Sequence, residues 1–199
     1  MSAKPFSPAS ERNREPILSV LRGWFADRSQ ILEIGSGTGQ HAVYFAAAMP
    51  QLVWQCSDRA EHVSSMRLWL NEAALPNTPE PLPLDVMGDW PAKRYDAVFS
   101  ANTLHIMAWH EVERMFEQLP AVTTDDAYVA IYGPFNFHGR FTSDSNASFD
   151  RDLKMRGAHM GIRDVADVDA LASKAGFDLA DDVAMPANNR LRLWKRRRM

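Results

Sequence analysis

A glycine-rich turn between two apolar segments constrains the fold of this chain more than any other feature. In "LEIGSGTGQHAVYFA", Gly35, Gly37 and Gly39 follow a short apolar run and precede a segment with helical spacing. Glycine adopts left-handed backbone conformations without strain and lets a backbone approach a ligand closely. The stretch predicts a β-strand, a tight turn and an α-helix, with the turn as a candidate binding site. A purely structural turn is the alternative interpretation.

The rest of the chain continues this alternation of short apolar segments with amphipathic ones. Predicted strands are "QILEI", "LVWQCSD", "EPLPLDV", "YDAVFSA" and "AYVAIYG", followed by an antiparallel pair, "FDLADDVAM" and "RLRLWKR". Predicted helices cover about residues 11–27, 43–49, 61–75, 110–119 and 164–175, with Pro16 expected only near the first turn of its helix. Parallel strands require helical crossovers of this length. We therefore predict an α/β fold: a doubly wound, mostly parallel seven-stranded sheet with an antiparallel C-terminal strand pair.

Composition narrows the classes of partner. The chain has 199 residues, 46% of them hydrophobic, and a net charge of -3, so we expect a single domain over residues 1–199 and neither nucleic acid nor membrane as a partner. A single cysteine, Cys56, excludes an internal disulfide, and no metal site is expected. The N-terminal stretch "MSAKPFSPASERNREPILS" lacks the apolar run of a secretory signal, which predicts a cytoplasmic location.

The glycine spacing disfavours two common cofactor motifs. A dinucleotide-binding turn reads G-x-G-x-x-G/A, but Gln40 occupies the sixth position here, counted from Gly35. A P-loop needs a lysine beside its last glycine, and no lysine is near this turn. The remaining pattern is E-x-G-x-G-x-G, which starts at Glu33.

That pattern resembles motif I of the class I S-adenosylmethionine-dependent methyltransferases. The resemblance implies S-adenosyl-L-methionine as cofactor and S-adenosyl-L-homocysteine as product. It implies that Asp58 binds both ribose hydroxyls, that Asp85 and Val86 contact the adenine, and that Ser100, Ala101 and Asn102 line the methionine part. The implied cofactor-binding residues are Glu33, Gly35, Gly37, Gly39, Asp58, Asp85, Val86 and Asn102. A helix cap at Asp58 and a turn at Asp85 remain as alternatives.

A narrower resemblance covers nearly the whole chain. The quoted segments are similar to the methyltransferase-like protein 26 family, long described as a domain of unknown function. They are "SPASERNREPIL", "LEIGSGTGQHAVYFA", "WQCSD", "LDV", "SANTLHI", "YGPFNFHGRFTSDSNASFD", "GIRD" and "MPANNRL". The resemblance implies the Rossmann-like class I methyltransferase fold and supplies no substrate.

Two side chains near strand ends are candidate general bases for methyl transfer. His105 follows the fourth predicted strand and Tyr132 ends the fifth. His105 is favoured because an ordinary histidine pKa lies near neutral pH. A histidine that ties its loop to the core is the alternative.

Two segments are candidates for the acceptor pocket. Residues 1–28 form a predicted N-terminal lid helix region, and residues 133–163 form a predicted insertion on the substrate side. Candidate substrate or lid residues are Arg12, Asn13, Glu15, Asn136, His138, Arg140, Asn146, Asp150 and Arg163. A solvated helix start for the first three, and a helix N-cap at Ser145 or Asn146, are the alternatives. Arginines that converged on one pocket would indicate an anionic acceptor.

The sequence thus predicts an S-adenosylmethionine-dependent methyltransferase that acts on an O, N or S atom of a small molecule by direct displacement. A non-catalytic S-adenosylmethionine-binding sensor or interaction protein on the same fold is the alternative, and an oxidoreductase is less favoured because of Gln40. The oligomeric state has no signature in the sequence.

Overall fold

The computed structural model describes residues 4–198, so residues 1–3 of the predicted lid and residue 199 lie outside the described part. Helices are α1 (Pro8–Trp24), α2 (Gln40–Ala48), α3 (Ala60–Ala73), α4 (Trp109–Val122), α5 (Asp144–Arg156) and α6 (Val165–Lys174). Strands are β1 (Gln30–Ile34), β2 (Val53–Asp58), β3 (Leu82–Pro83), β4 (Tyr95–Ala101), β5 (Thr123–Asn136), β6 (Arg163–Asp164), β7 (Phe177–Met185) and β8 (Asn189–Arg196).

The described strands form one mixed sheet in the order β3-β2-β1-β4-β5-β8-β7, and the short β6 pairs with β5 away from this path. Strands β1 to β6 pair in parallel, whereas β8 runs antiparallel to both β5 and β7. This confirms the predicted doubly wound sheet with its antiparallel C-terminal pair. The carboxyl ends of β1, β2, β4 and β5 meet at one edge, here called the carboxyl edge. The strand order reverses between β1 and β4, which is where such sheets bind ligands.

Each face of the sheet is covered by its own apolar cluster. Ile17, Phe45 and Trp54, all 0% exposed, belong to the cluster under α1, α2 and α3. Phe116 and Trp194, each 1% exposed, belong to the cluster under α4 and α6. Burial of one such side chain stabilises a fold by about 1.5–3 kcal/mol. The central strands are buried on both faces, which explains why their sequences read as continuous apolar runs.

Helix α1 differs from the prediction in its limits and in its proline. It begins at Pro8, because the Ser7 side chain accepts a hydrogen bond from Ser10 N at 3.2 Å and proline suits a first turn. It ends at Trp24. Pro16 lies inside the helix, not near its first turn as predicted. The buried face that includes Ile17 offsets the hydrogen bond that Pro16 cannot donate.

Other element limits also depart from prediction. Strand β3 is reduced to Leu82–Pro83, because Pro81 and Pro83 have no N–H for a ladder. Helix α5 is capped by Ser143, whose side chain accepts from Asn146 N at 3.1 Å, so the alternative of a cap at Ser145 or Asn146 is wrong. The predicted insertion at 133–163 begins inside β5, contains α5 and reaches β6.

The start of α6 agrees with the prediction, and the lengths of the described helices bear on membrane insertion. Asp164 caps α6 as predicted, and Gly176 follows it with a left-handed φ of +84°. Within residues 4–198, every helix is too short or too polar to cross a bilayer.

Candidate functional site

The three glycines of the turn after β1 all have a left-handed φ but differ in the space that surrounds them. A Cβ on Gly35 would lie 2.6 Å from Oγ1 of Thr103, and one on Gly39 would lie 3.3 Å from Cα of Met66. A Cβ on Gly37, whose φ is +57°, would meet no heavy atom within 4 Å. Packing therefore requires two of the glycines, whereas Gly37 faces open space at the carboxyl edge.

Asp58 connects the end of β2 to this turn. Its Oδ2 accepts a hydrogen bond from Gly37 N at 2.7 Å, and its Oδ1 accepts one from Arg59 N at 2.8 Å, at the start of α3. A carboxylate has about four acceptor positions, so each oxygen retains one for a ligand. The side chain thus braces the glycine turn, whereas the N-cap of α3 is Arg59 and makes no side-chain cap hydrogen bond, so the alternative of a helix cap at Asp58 is wrong.

Glu33 lies inside the protein beneath the turn. Its side chain is 1% exposed and accepts a hydrogen bond from the indole N–H of Trp54 at 2.7 Å. Burial raises the pKa of this carboxyl to about 7. The structure thus places Glu33 as a brace between β1 and β2.

The segment after β3 brings Asp85 beside Asp58. Leu84 N donates to the backbone oxygen of Asp58 at 2.8 Å, which joins the two segments. Asp85 is exposed, and its Oδ1 accepts from Met87 N at 2.9 Å in the turn that the alternative interpretation expected. Val86 is 8% exposed and packs into the apolar cluster under α4.

The end of β4 carries a strained residue. Asn102 has a φ of +59°, a conformation that asparagine tolerates better than most residues, and its N–H donates to Tyr132 O at 2.8 Å. Ser100 is 1% exposed and donates to Ile34 O at 2.8 Å, so its side chain faces the sheet and not an open pocket. Asn102 is partly exposed, and the next residue, Thr103, packs directly against Gly35 of the glycine turn.

The N-terminal helix packs on α2 through buried polar contacts. Asn13 Oδ1 lies 2.7 Å from His41 Nε2, and both side chains are buried. Burial, with a smaller contribution from the Arg14 charge, lowers the pKa of His41 to about 4. Tyr44 donates a hydrogen bond to the predicted lid residue Glu15.

Gln40 holds the residues that precede α1. Its side chain is 5% exposed, and its Oε1 accepts from Ser7 N and from Thr38 Oγ1. Sequence reasoning used Gln40 only to exclude a dinucleotide motif and overlooked His41. Two polar residues at the start of the apolar helix "QHAVYFAAA" were the available signal.

Tyr132 lies beneath the predicted lid. It is 4% exposed, and burial raises the pKa of its phenol. The Asn13 side chain and the exposed Arg12 both act on the phenol in the opposite sense. A phenol with a raised pKa stays protonated at neutral pH, which favours a hydrogen-bond donor over a base at this position.

His105 lies at the carboxyl edge, on the side of β5 opposite to Tyr132. Its ring is 7% exposed, is edge-on to Phe149 at 5.3 Å, and has Nδ1 3.9 Å from where a Cβ on Gly133 would stand. Burial lowers its pKa to about 4, and the charges of Arg163 and Arg156 contribute in the same direction. The prediction of an ordinary pKa for His105 is therefore wrong. The sequence around His105 could not show this, because the arginines and the side chains that bury the ring come from distant segments. The ring is uncharged at neutral pH and is a weaker base than an ordinary histidine, and its neutral form can accept a hydrogen bond.

Two predicted pocket residues brace the loops around His105. The guanidinium of Arg163 donates to Leu104 O at 3.1 Å, to His159 O at 3.0 Å and to Met107 O. Asp150 is 3% exposed, accepts from Ile162 N at 2.8 Å and forms an ion pair with Lys154. These contacts fix the 157–161 loop against the loop after β4.

The other predicted pocket residues lie in different parts of the fold and differ in exposure. Asn146 donates to Thr142 Oγ1 at 2.8 Å and to Asn188 O at 3.2 Å, which holds α5 against the β7–β8 turn. His138 and Arg140 are exposed in a tight hairpin turn. Asn136 donates to Ile162 O, while its buried Oδ1 has no hydrogen-bond partner in residues 4–198.

Two further observations concern alternative sites. No group of three or more His, Cys, Asp or Glu side chains that could hold a metal is found in the described part of the chain. A cavity of about 630 Å³ lies at the amino end of β5, bounded by Asp125, Asp126 and Arg196 among others, away from the carboxyl edge.

The strand order and the glycine turn define a class I methyltransferase fold, and solved structures agree. Mitomycin 7-O-methyltransferase MmcR matches with a TM-score of 0.83 and 18% identity, over 94% of this chain and 54% of that one. The S-adenosylmethionine-dependent methyltransferase SibL in its apo form matches at 0.81 and 22%, over 96% and 56%. An O-methyltransferase family protein from Burkholderia thailandensis matches at 0.84 and 16%, over 96% and 58%. The chain spans a little over half the length of these proteins.

A family model places the chain more narrowly. The model described as "Protein of unknown function (DUF938)" matches residues 4–196, and the chain belongs to this family.

Proposed function

We propose that this protein is an S-adenosylmethionine-dependent methyltransferase of the methyltransferase-like protein 26 type, which methylates an O, N or S atom of a small molecule. The hydrogen bond from Gly37 N to Asp58 Oδ2, at 2.7 Å, carries the proposal. It puts an acceptor-only side chain beside the one glycine of the turn whose Cβ direction is open. The likeness to methyltransferase structures supports the fold on which this proposal rests.

The residues at the carboxyl edge suit this cofactor better than a dinucleotide. Asp58 retains an acceptor position on each oxygen for the two ribose hydroxyls, and exposed Asp85 stands next to it for the adenine amino group. A dinucleotide would place its pyrophosphate at the start of α2. There, Gln40 and Ser7 are hydrogen-bonded to each other and cover the first turn.

The chain's own residues then have separate tasks. When bound, S-adenosylmethionine supplies a methyl group whose carbon–sulfur bond breaks with its electron pair left on sulfur, as a lone pair of the acceptor forms the new bond to carbon. Uncharged His105 takes the proton that the acceptor loses, and Tyr132 donates a hydrogen bond near the reacting atoms. Helix α1, held by Asn13 and Gln40, limits the access of water to the site.

A small molecule is the proposed acceptor, with nucleic acid disfavoured by the net charge of -3. The test is to incubate the purified chain with methyl-labelled S-adenosylmethionine and fractionated small-molecule extract, and to follow label in the small-molecule fraction. We expect labelled product, with turnover reduced about 100-fold or more in His105→Ala at nearly unchanged S-adenosylhomocysteine affinity. Tight cofactor binding without transfer to any fraction would support a non-catalytic sensor and contradict the proposal.

A further inference from the structure

Two arginines flank one loop that rests on His105. Arg156 ends α5, the 157–161 loop follows it, and Arg163 begins β6 after the loop. Gly161 N donates to the backbone oxygen of His105 at 2.9 Å, so the loop is fixed to the residue whose ring is the proposed base. The charges of both arginines reach that ring and contribute to its lowered pKa.

The Asp150 carboxylate acts on Arg163 and offsets only part of the positive charge of this region. Asp150 is committed to Ile162 N and to Lys154. Arg156 is exposed and takes part in none of the ion pairs within residues 4–198. Arg163 uses Nε and Nη2 on backbone oxygens and forms no ion pair there either. The groups around His105 therefore carry a net positive charge.

The same region also contains two uncharged groups that can accept hydrogen bonds from a ligand. The neutral ring of His105 has one nitrogen that accepts a hydrogen bond, and the buried Oδ1 of Asn136 has no partner in the described residues. Asn136 lies in register with Asp164, next to Arg163. Both groups suit an O–H or N–H donor. Phe149 against the ring and the 40%-exposed Ile106 supply apolar surface.

We infer that the acceptor is a small organic anion, a carboxylate or a phosphate monoester, which Arg156 and Arg163 recognise while its O–H or N–H group faces His105 and Asn136. This inference rests on the proposed function for the fate of the acceptor. The sequence left open which arginines converge. In the structure the charges of Arg163 and Arg156 act on His105, whereas the charge of Arg12 acts on Tyr132.

The experiment titrates the full chain with three probes of similar shape: benzoate, phenyl phosphate and the neutral benzamide. Binding is measured from chemical-shift changes of the arginine side chains, with and without saturating S-adenosylhomocysteine. At least one anion should saturate with an affinity about tenfold or more above that of benzamide, because charge-assisted hydrogen bonds are the stronger ones. The better anion tells a carboxylate site from a phosphate site.

Matched variants on α5 assign the binding to this region. Arg156→Gln should weaken the better anion about five- to tenfold. Arg151→Gln, an exposed arginine on the same helix that does not act on His105, should leave its affinity unchanged. Equal affinity for benzamide, no saturable binding of either anion, or equal effects of the two variants would overturn the inference. Failure of S-adenosylhomocysteine to bind would instead count against the proposed function, and the titration without it would still decide the charge of the acceptor site.

Discussion

The carboxylate of Asp58 accepts a hydrogen bond from the backbone N–H of Gly37 at 2.7 Å. This contact joins the end of β2 to the turn after β1, across 21 residues of sequence. It orients the carboxylate towards the open side of the turn, so the acid and the glycine form one unit. Changes to either residue test whether that unit binds a ligand.

Gly37→Ala should weaken S-adenosylhomocysteine binding while the protein stays folded. The new Cβ would meet no protein atom within 4 Å, so it projects into the space assigned to the cofactor. The left-handed φ of +57° adds a cost of about 1–2 kcal/mol to folding. Calorimetric titration and thermal unfolding measure the two effects.

Gly35→Ala is the matched comparison. Its Cβ would lie 2.6 Å from Thr103 Oγ1, so it should destabilise the fold more than Gly37→Ala does. A Gly37→Ala protein that binds S-adenosylhomocysteine as tightly as the wild type would show that the open side of the turn does not hold the ligand.

Gln40→Ala should loosen the start of α1. The variant removes the acceptor of Ser7 N, and the loss of such a hydrogen bond costs about 1 kcal/mol. Hydrogen exchange of the backbone N–H groups of residues 7–12 should become faster. Gln51→Ala, at an exposed turn after α2, is the control. Unchanged exchange in Gln40→Ala would mean that other contacts hold the helix.

Glu33 should make the protein less stable as the pH rises. Burial raises its folded-state pKa from 4.5 to about 7, so its favourable contribution is complete below about pH 4.5 and is lost as the pH rises through 7. Relative to the wild type, Glu33→Gln should therefore gain about 2–3 kcal/mol in free energy of unfolding between pH 5 and pH 8. Urea unfolding at both pH values measures this. Glu61→Gln, at an exposed position of α3, is the control, and a gain in Glu33→Gln no larger than that of the control would contradict the raised pKa of Glu33.

His105 should remain uncharged well below the ordinary histidine range. Its pKa is lowered to about 4, chiefly by burial, so its ring resonances should not titrate between pH 8 and pH 5. Arg156→Gln should raise the pKa, because it removes one of the two charges that lower it. Nuclear magnetic resonance titration, with His105→Ala to assign the signals, is the measurement. A midpoint near 6.5 would contradict the buried, uncharged ring.

The sequence was most informative where one segment determines the outcome. Strands β1 and β4 match their predicted limits, because a strand buried on both faces of a sheet reads as an apolar run. The short β3 did not, because its prolines remove ladder donors that hydrophobicity does not register. The early start of α1 depends on Ser7 and on Gln40, which are 33 residues apart in sequence.

The candidate site was likewise predictable where single strand ends determine it and not where distant segments meet. Strand ends place the glycine turn, Asp58 and Asp85 together, and that much follows from a parallel sheet. The pKa of His105 did not follow, since Phe149, Arg156 and Arg163 surround it from elements far along the chain. Arg192 shows the limit from another side: its segment "RLRLWKR" predicts only a strand, yet the Arg192 side chain is 2% exposed and paired with Asp169 and Asp182.

The most direct test is calorimetric titration of the wild type and of Asp58→Ala with S-adenosylmethionine, S-adenosylhomocysteine and NADH. Asp152→Ala, an exposed acid on α5, serves as the control variant. The wild type and the control should bind the first two ligands and not NADH. Asp58→Ala should lose about 1–3 kcal/mol of that binding, the range for charged hydrogen bonds left unmade. Unchanged affinity in Asp58→Ala, or binding of NADH in place of the other two, would contradict the cofactor site proposed for this protein.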